Sequence, residues 1–264
     1  MPSGLYEWIT EAGQRKMSGM AADEKPISTA PTFDISAFDF IDFGCSNGGS
    51  IQYGMTKFPG SRGLGIDVNA AKVEATRVKG FDAVQMNALD LKANPRSVRF
   101  CILAHFLEHL PALKDARDIL TVACNTAREF VLVWHPWFGS DGWLFSQGLK
   151  FFWSDWHGHP LHLDAVQLHS ILRDARRNGV IRDFAIFGRD AVKDSTAPSV
   201  HSVESPKDQH GFDPKVHPAK PYVPFPPGIF RELVAIVSID ADIDDIAKTV
   251  GAGKKLYDSR EASK

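Results

Sequence analysis

Phe38-Asp39-Phe40-Ile41-Asp42-Phe43-Gly44-Cys45-Ser46-Asn47-Gly48-Gly49-Ser50 is the stretch on which the reading of this chain turns. An apolar run, FDFIDFG, stops at glycines and gives way to residues that suit a helix from about Ser50, so a strand is expected to turn directly into a helix. Glycines at such a bend tolerate the φ values of a tight turn and let the backbone approach a ligand unobstructed. Moving outward, RGLGIDV (62–68) reads as a second strand, AAKVEATRVKG (70–80) as a helix and FDAVQMN (81–87) as a third strand. VRFCILAHF (98–106), the helix DARDILTVACNTA (115–127) and EFVLVWHP (129–136) continue the alternation. Strands this apolar, separated by helices, imply a parallel sheet covered on both faces.

Further along, WFGSDGWLFSQGLKFFWSDWHGHPLHL (137–163) belongs to an aromatic-rich crossover, with five of the six tryptophans between Trp134 and Trp156. DAVQLHSILRDARRNG (164–179) reads as an amphipathic helix with Val166, Leu168, Ile171, Leu172 and Ala175 on one stripe, stopped by Gly179. Strands are expected at VIRDFAIFGR (180–189) and ELVAIVSI (232–239), separated by a Pro-, His- and charge-rich insertion at 190–227 that reads as a substrate lid or a mobile loop. Residues 1–37, with a short helix around Leu5 to Met20, read as an N-terminal cap and linker. Residues 38–240 form the main domain, and 241–264 a polar tail expected to fray.

The chain has 264 residues, 44% of them hydrophobic and 23% charged, enough for one large domain with a buried core. Thirty basic residues against 32 acidic ones give a net charge of -2, which removes any global electrostatic case for nucleic acid or an anionic membrane surface. Cys45, Cys101 and Cys124 are too few for a disulfide framework, and reduced thiols in a cytoplasmic protein are the simpler expectation. Neither a secretion signal nor a membrane span is expected.

Spacing alone leaves the ligand of the glycine bend open, because Gly44, Ser46 and Gly49 also fit a GxGxxG dinucleotide pattern with serine in the middle. Charge separates the readings. A pyrophosphate at a helix N-terminus favours amide donors and positive potential, so Asp42, two residues before the first glycine, suits a cationic ligand instead. Asp67, 23 residues after Gly44, ends the second strand, where a carboxylate can accept both hydroxyls of a ribose. Asn87 and Ala88, at the end of the third strand, can meet an adenine edge.

With these residues the sequence resembles the class I S-adenosylmethionine-dependent methyltransferases. Their first motif resembles hhDhGxGxG, and here it stands as FIDFGCSNGG, with Ser46 where the family has glycine and Gly48 and Gly49 retained. A second match follows the fourth strand, where HFLEHL (105–110) resembles the family's H-x-LEHL signature. The resemblance covers residues 38 to 138. It implies an α/β, Rossmann-like, mostly parallel seven-stranded sheet with helices on both faces, and S-adenosyl-L-methionine as cofactor. It places Asp42 and Gly44 beside the methionine part, with Ser46 and Gly48 in the same bend. It places Asp67 on the ribose, Asn87 and Ala88 around the adenine, and His105 at the sulfonium end, where it is a candidate catalytic residue.

Glu108 and His109 read as helix-surface and capping residues, and Asp90 as a solvated loop residue. In Trp156-His157-Gly158-His159-Pro160-Leu161-His162, closely spaced imidazoles tempt a metal reading. Such a set needs a supporting carboxylate and a closed geometry, no cysteine lies nearby and methyl transfer itself needs no metal, so no metal is expected. His157 or His159 is expected instead to bind an acceptor or take its proton. The acceptor is expected to be a small molecule, methylated on oxygen or nitrogen. The rival readings are a cofactor-binding but non-catalytic partner subunit and a nicotinamide-dependent oxidoreductase.

Overall fold

The computed structural model describes residues 34–261. The chain divides into two units, Met1–Asp34 and Ile35–Lys264. The architecture below is that of the second, and the helix expected around Leu5 to Met20 lies outside the described residues. After a 3-10 turn at Ile35–Ala37 come β1 (Phe40–Phe43), α1 (Gly49–Lys57), β2 (Gly63–Asp67), α2 (Ala70–Val78), β3 (Asp82–Gln85), β4 (Val98–Ala104), α3 (Leu113–Thr126) and β5 (Ala127–Pro136). The crossover then forms α4 (Asp141–Ser146) and β6 (Leu149–Phe151). It is followed by α5 (Ala165–Arg177), β7 (Asp183–Ala191), β8 (Val200–Ser202), β9 (Phe230–Ser238), α6 (Ile243–Val250) and β10 (Lys254–Asp258).

One sheet has the order β10-β7-β9-β5-β4-β1-β2-β3. Strands β3, β2, β1, β4 and β5 pair in parallel, whereas β9 enters antiparallel between β5 and β7, and β10 pairs antiparallel with β7. The sheet has eight strands, not the expected seven, and the extra strand comes from the tail. There Lys254–Asp258 caps the β7 edge, and Arg260 binds both Asp244 and Asp258.

Every residue of β1 and β2 is buried, as strands covered on both faces require. On one face α1, α2 and α6 cover Phe40, Phe100 and Phe130, whose rings stack across three neighbouring strands at 4.7 and 4.8 Å. On the other, α3 and α5 cover Ile41, Phe43, Cys101 and Val131 together with Trp137, Phe138 and Trp153 of the crossover. Helix α5 begins with a capping box between Asp164 and Gln167 and buries Leu168, Ile171 and Leu172. Val166 departs from the expected stripe. At 75% exposure it lies in the first turn, before the helix reaches the sheet.

The 190–227 insertion is tied into the unit. β8 pairs antiparallel with β6, Lys220 Nζ donates to the carbonyls of Ala197 and Val200, and Lys150 Nζ donates to that of Ser205. No helix among the described residues is long and apolar enough to cross a membrane.

Candidate cofactor and acceptor site

The carboxyl ends of β1 and β2 meet at the glycine bend. The amides of Gly44 and Cys45 donate to the Ile66 carbonyl at 2.8 and 3.0 Å, which folds the chain back over β2. Gly44 (φ +71°) and Gly48 (φ +83°) both lie in the left-handed region. A Cβ at Gly44 would meet the Phe106 ring at 2.4 Å, and one at Gly48 the Phe81 ring at 2.6 Å. Glycine is therefore demanded twice at each position, by conformation and by space. Ser46 also lies in that region (φ +48°) and has no such freedom. Its neighbours hold it there: its amide donates to Asp67 Oδ2 at 3.3 Å and its carbonyl accepts from Thr76 Oγ1 at 3.1 Å.

Asp67 thus points at the bend. Its other oxygen accepts from the Asn69 amide at 2.9 Å, so the carboxylate is aimed by two backbone donors. Asp42 lies on the face of β1 turned toward α1 and is fully buried. Ser50 Oγ donates to its Oδ2 at 2.5 Å, while Oδ1 has no hydrogen-bond partner. Burial pushes its pKa up, the Ser50 hydrogen bond pulls it down and the charge of Asp67 pushes it up again, to about 7. At the end of β3, Met86 donates its amide to the Asp67 carbonyl, which brings the strand end to Asp67. Asn87 is exposed and its side chain caps the following 3-10 turn through the Leu89 amide, whereas Ala88 packs into the core.

His105 follows directly on β4 and is another non-glycine residue held at positive φ (+48°), with its amide donating to the Trp134 carbonyl. Its imidazole lies 3.4 Å from Glu108 on one side and 3.4 Å from Glu232 on the other. Burial works against the imidazolium, but the two carboxylates outweigh it and hold the pKa at about 9. Glu232 in turn pairs with Arg189 at 2.6 Å, and the Arg189 guanidinium lies over the Trp134 ring. Burial opposes ionisation of Glu232, and His105 and Arg189 overcome it, bringing its pKa to about 2.

Glu108 corrects an expectation. It is no helix-surface residue but is fully buried, because the 3-10 turn Leu107–His109 folds inward and its carbonyl accepts from the Leu161 amide. The fold brings His105, Glu108, His109 and His159 into one neighbourhood, with the Glu108, His109 and His159 donor atoms within 4.8 Å of one another. His157 stands apart from that group: its side chain is 64% exposed and Nδ1 is 2.6 Å from Asp208 of the insertion. Glu232 and Arg189 escaped the sequence reading. The one available signal was a carboxylate opening an otherwise apolar strand.

A cavity of about 370 Å³ lies at the same edge of the sheet, lined by Phe152 and Arg231 and by insertion residues that include Lys193, Asp194, Thr196 and His210. The register places it there, since Phe230 pairs with Ala191 and Glu232 with Pro136, the last residue of β5. Of the aromatic run, Phe152 alone lines this cavity. Trp134, Trp137, Phe138, Trp153 and Trp156 are buried.

No protein-family profile matches this sequence, and no curated protein matches it. Solved structures do. A SAM-dependent methyltransferase from Archaeoglobus fulgidus superposes with a TM-score of 0.52 at 17% identity, covering 75% of this chain and 85% of that one. The fold is that of the S-adenosylmethionine-dependent methyltransferases. A chain of the complex between the Haloferax volcanii Trm112 methyltransferase activator and a candidate methyltransferase matches with a TM-score of 0.50 at 13% identity, over 77% and 82% of the two chains. Within this methyltransferase fold, the reversed β9 between β5 and β7 departs from the all-parallel 3-2-1-4-5-6 order of dinucleotide-binding sheets. The glycine bend occupies the carboxyl edge, where open α/β sheets bind their ligands.

Proposed function

We propose that the chain binds S-adenosyl-L-methionine at the glycine bend and transfers its methyl group to an oxygen or nitrogen of a small molecule in the cytoplasm. The observation that carries this reading is the pair of carboxylates at one bend, Asp67 aimed by the Ser46 and Asn69 amides and Asp42 buried beneath with an unpaired oxygen. A dinucleotide's pyrophosphate would have to lie against both negative groups, whereas a sulfonium and its α-amino group are cations. In this reading Gly44, Ser46 and Gly48 supply close backbone, Asp67 accepts the ribose hydroxyls, and Asn87 and Ala88 border the adenine. His105 and His159 stand on the acceptor side. His157, held by Asp208, serves the insertion instead.

Methyl transfer needs the donor carbon, the leaving sulfur and the acceptor atom in line with water excluded, so the chain's main work is positioning. The 370 Å³ cavity fits a small acceptor, and Lys193, Asp194 and Arg231 on its wall favour a polar one. The 190–227 insertion forms most of that wall and acts as the lid of the domain. The cytoplasmic assignment rests on Cys45, Cys101 and Cys124, all free and buried.

Calorimetry with S-adenosylmethionine and S-adenosylhomocysteine tests the reading: both should bind, and absence of binding by either at millimolar concentration would end it. Binding without turnover on a broad panel of anionic and neutral acceptors would favour the non-catalytic partner subunit. Quenching of tryptophan fluorescence by NADH, with no response to S-adenosylhomocysteine, would favour the oxidoreductase.

A further inference from the structure

Both Glu108 oxygens are buried and accept no hydrogen bond, and the nearest described cation is His105 at 3.4 Å from one of them. His105 lends this carboxylate a positive charge, but no donor fills the lone pairs of its two oxygens, and a buried carboxylate in that condition has room for a further partner. Next to it stand two imidazoles in matching states. His109 Nδ1 lies 2.5 Å from the Gly158 carbonyl and His159 Nδ1 lies 2.9 Å from the Trp153 carbonyl. In each ring the Nδ1–H is thereby committed to a backbone oxygen, which leaves the Nε2 lone pair free and fixes the tautomer that metal-binding histidines use. The rings are 5.0 Å apart, edge to face.

We propose that Glu108, His109 and His159 bind one divalent transition-metal ion, Zn²⁺ being the type for a two-histidine, one-carboxylate set. One donor atom from each already lies within 4.8 Å of the others. An ion at about 2.1 Å from each would draw them to about 3.4 Å apart, a closure within reach of side-chain rotation. The chain is built for it. The 3-10 turn Leu107–His109 after β4 supplies two donors and the 156–163 segment the third, and these are clipped together by the Leu161 amide on the Glu108 carbonyl and by His109 on Gly158. Burial grades from Glu108 through His159 to exposed His109, so one side of the ion faces outward. Three protein ligands with an open side match a catalytic site rather than a closed structural one. An acceptor hydroxyl in the open position would lose its proton more readily, a consequence that rests on the methyl-transfer reading, whereas the ion site itself does not.

The test uses the full chain, stripped with a chelator and dialysed. Zn²⁺ is titrated by calorimetry and Co²⁺ by visible absorption, with S-adenosylhomocysteine binding measured on the same sample. One equivalent of metal should bind with micromolar affinity or better, and Co²⁺ should develop d–d bands. His109→Ala and His159→Ala should each weaken binding by about tenfold or more, while His162→Ala, whose imidazole pairs with Asp141, should not. His109 is exposed, so its variant decides the matter even if the Glu108→Gln or His159→Ala chain fails to fold. Binding that is absent, or indifferent to His109→Ala, overturns the proposal and leaves Glu108 as a counter-ion for His105. Loss of metal binding with S-adenosylhomocysteine binding intact sinks the ion site alone, and the converse sinks the cofactor reading alone.

Discussion

At Asp42 burial raises the carboxyl pKa to about 7, which ties the stability of the ligand-free fold to pH. Its folded pKa lies above the unfolded value of 3.8, so the stability it contributes is full below about pH 4 and is lost as pH rises through about 7. The ligand-free protein should therefore unfold more easily at pH 8 than at pH 5.5. Asp42→Asn should flatten that difference in a thermal melt. Affinity for the cofactor runs the other way, because a sulfonium favours the ionised carboxylate: it should rise between about pH 6 and 8 in the native chain and stay low and flat in Asp42→Asn. Asp67→Asn keeps one acceptor for the bend but loses the charge. A charge-assisted hydrogen bond contributes roughly 1.5–3 kcal/mol, so S-adenosylhomocysteine should bind about ten- to a hundredfold more weakly by calorimetry. Ser46→Gly relieves a left-handed residue. The relief of about 1 kcal/mol is offset by the greater freedom of glycine when unfolded, so stability should change little. Cofactor affinity should hold or improve, and a marked loss would mean that the hydroxyl itself meets the ligand.

The elements differ in how much of their support is local. Helix α5 carries its own start signal, the Asp164–Gln167 box, and Asp164→Ala should cost about 1 kcal/mol in a denaturant melt. Strand β10 carries none. It stands because Lys254–Asp258 finds the open edge of β7 and because Ser259 Oγ accepts from the Phe184 amide and donates to Asp183. Ending the chain at Gly251 should lower the melting temperature and promote aggregation, since an apolar β7 edge is left unpaired. Light scattering during the melt reads both effects, and a truncated chain as stable and as soluble as the full one would contradict the strand's role.

Across the whole molecule the sheet has its deepest protection where β1, β4, β5 and β9 are flanked by strands on both sides and covered on both faces. Amide exchange should be slowest there and fastest in the edge strands β3 and β10 and along 203–228. Added S-adenosylhomocysteine should slow exchange at 44–50 and 67–69 before it affects β9. Protection centred on β9 instead would place the ligand on the insertion side.

The bend was legible because its information is local. Asp42, Gly44, Ser46 and Gly48 follow one another in a single strand-to-helix turn. Asp67 ends the next strand in chain order, and consecutive strands of an α/β unit pair side by side, so nearness in sequence became nearness in space. The alternation of apolar strands with helices carried the sheet in the same way, through periodicities of two and 3.6 residues. The surroundings of His105 were illegible for the opposite reason. Glu232 meets both His105 and Arg189 only because β9 inserts between β5 and β7, and strand order across a sheet leaves no mark in the residues of either strand. Burial of Glu108 depends on a 3-10 turn meeting Leu161, more than fifty residues along the chain. His157 and His159, two positions apart, were separated by their partners, Asp208 for one and the Trp153 carbonyl for the other. Local pattern determines which elements form and where a turn can cradle a ligand. Which charges face one another across the sheet edge is decided by long-range packing, because an ion pair depends on distance in space and not on separation along the chain.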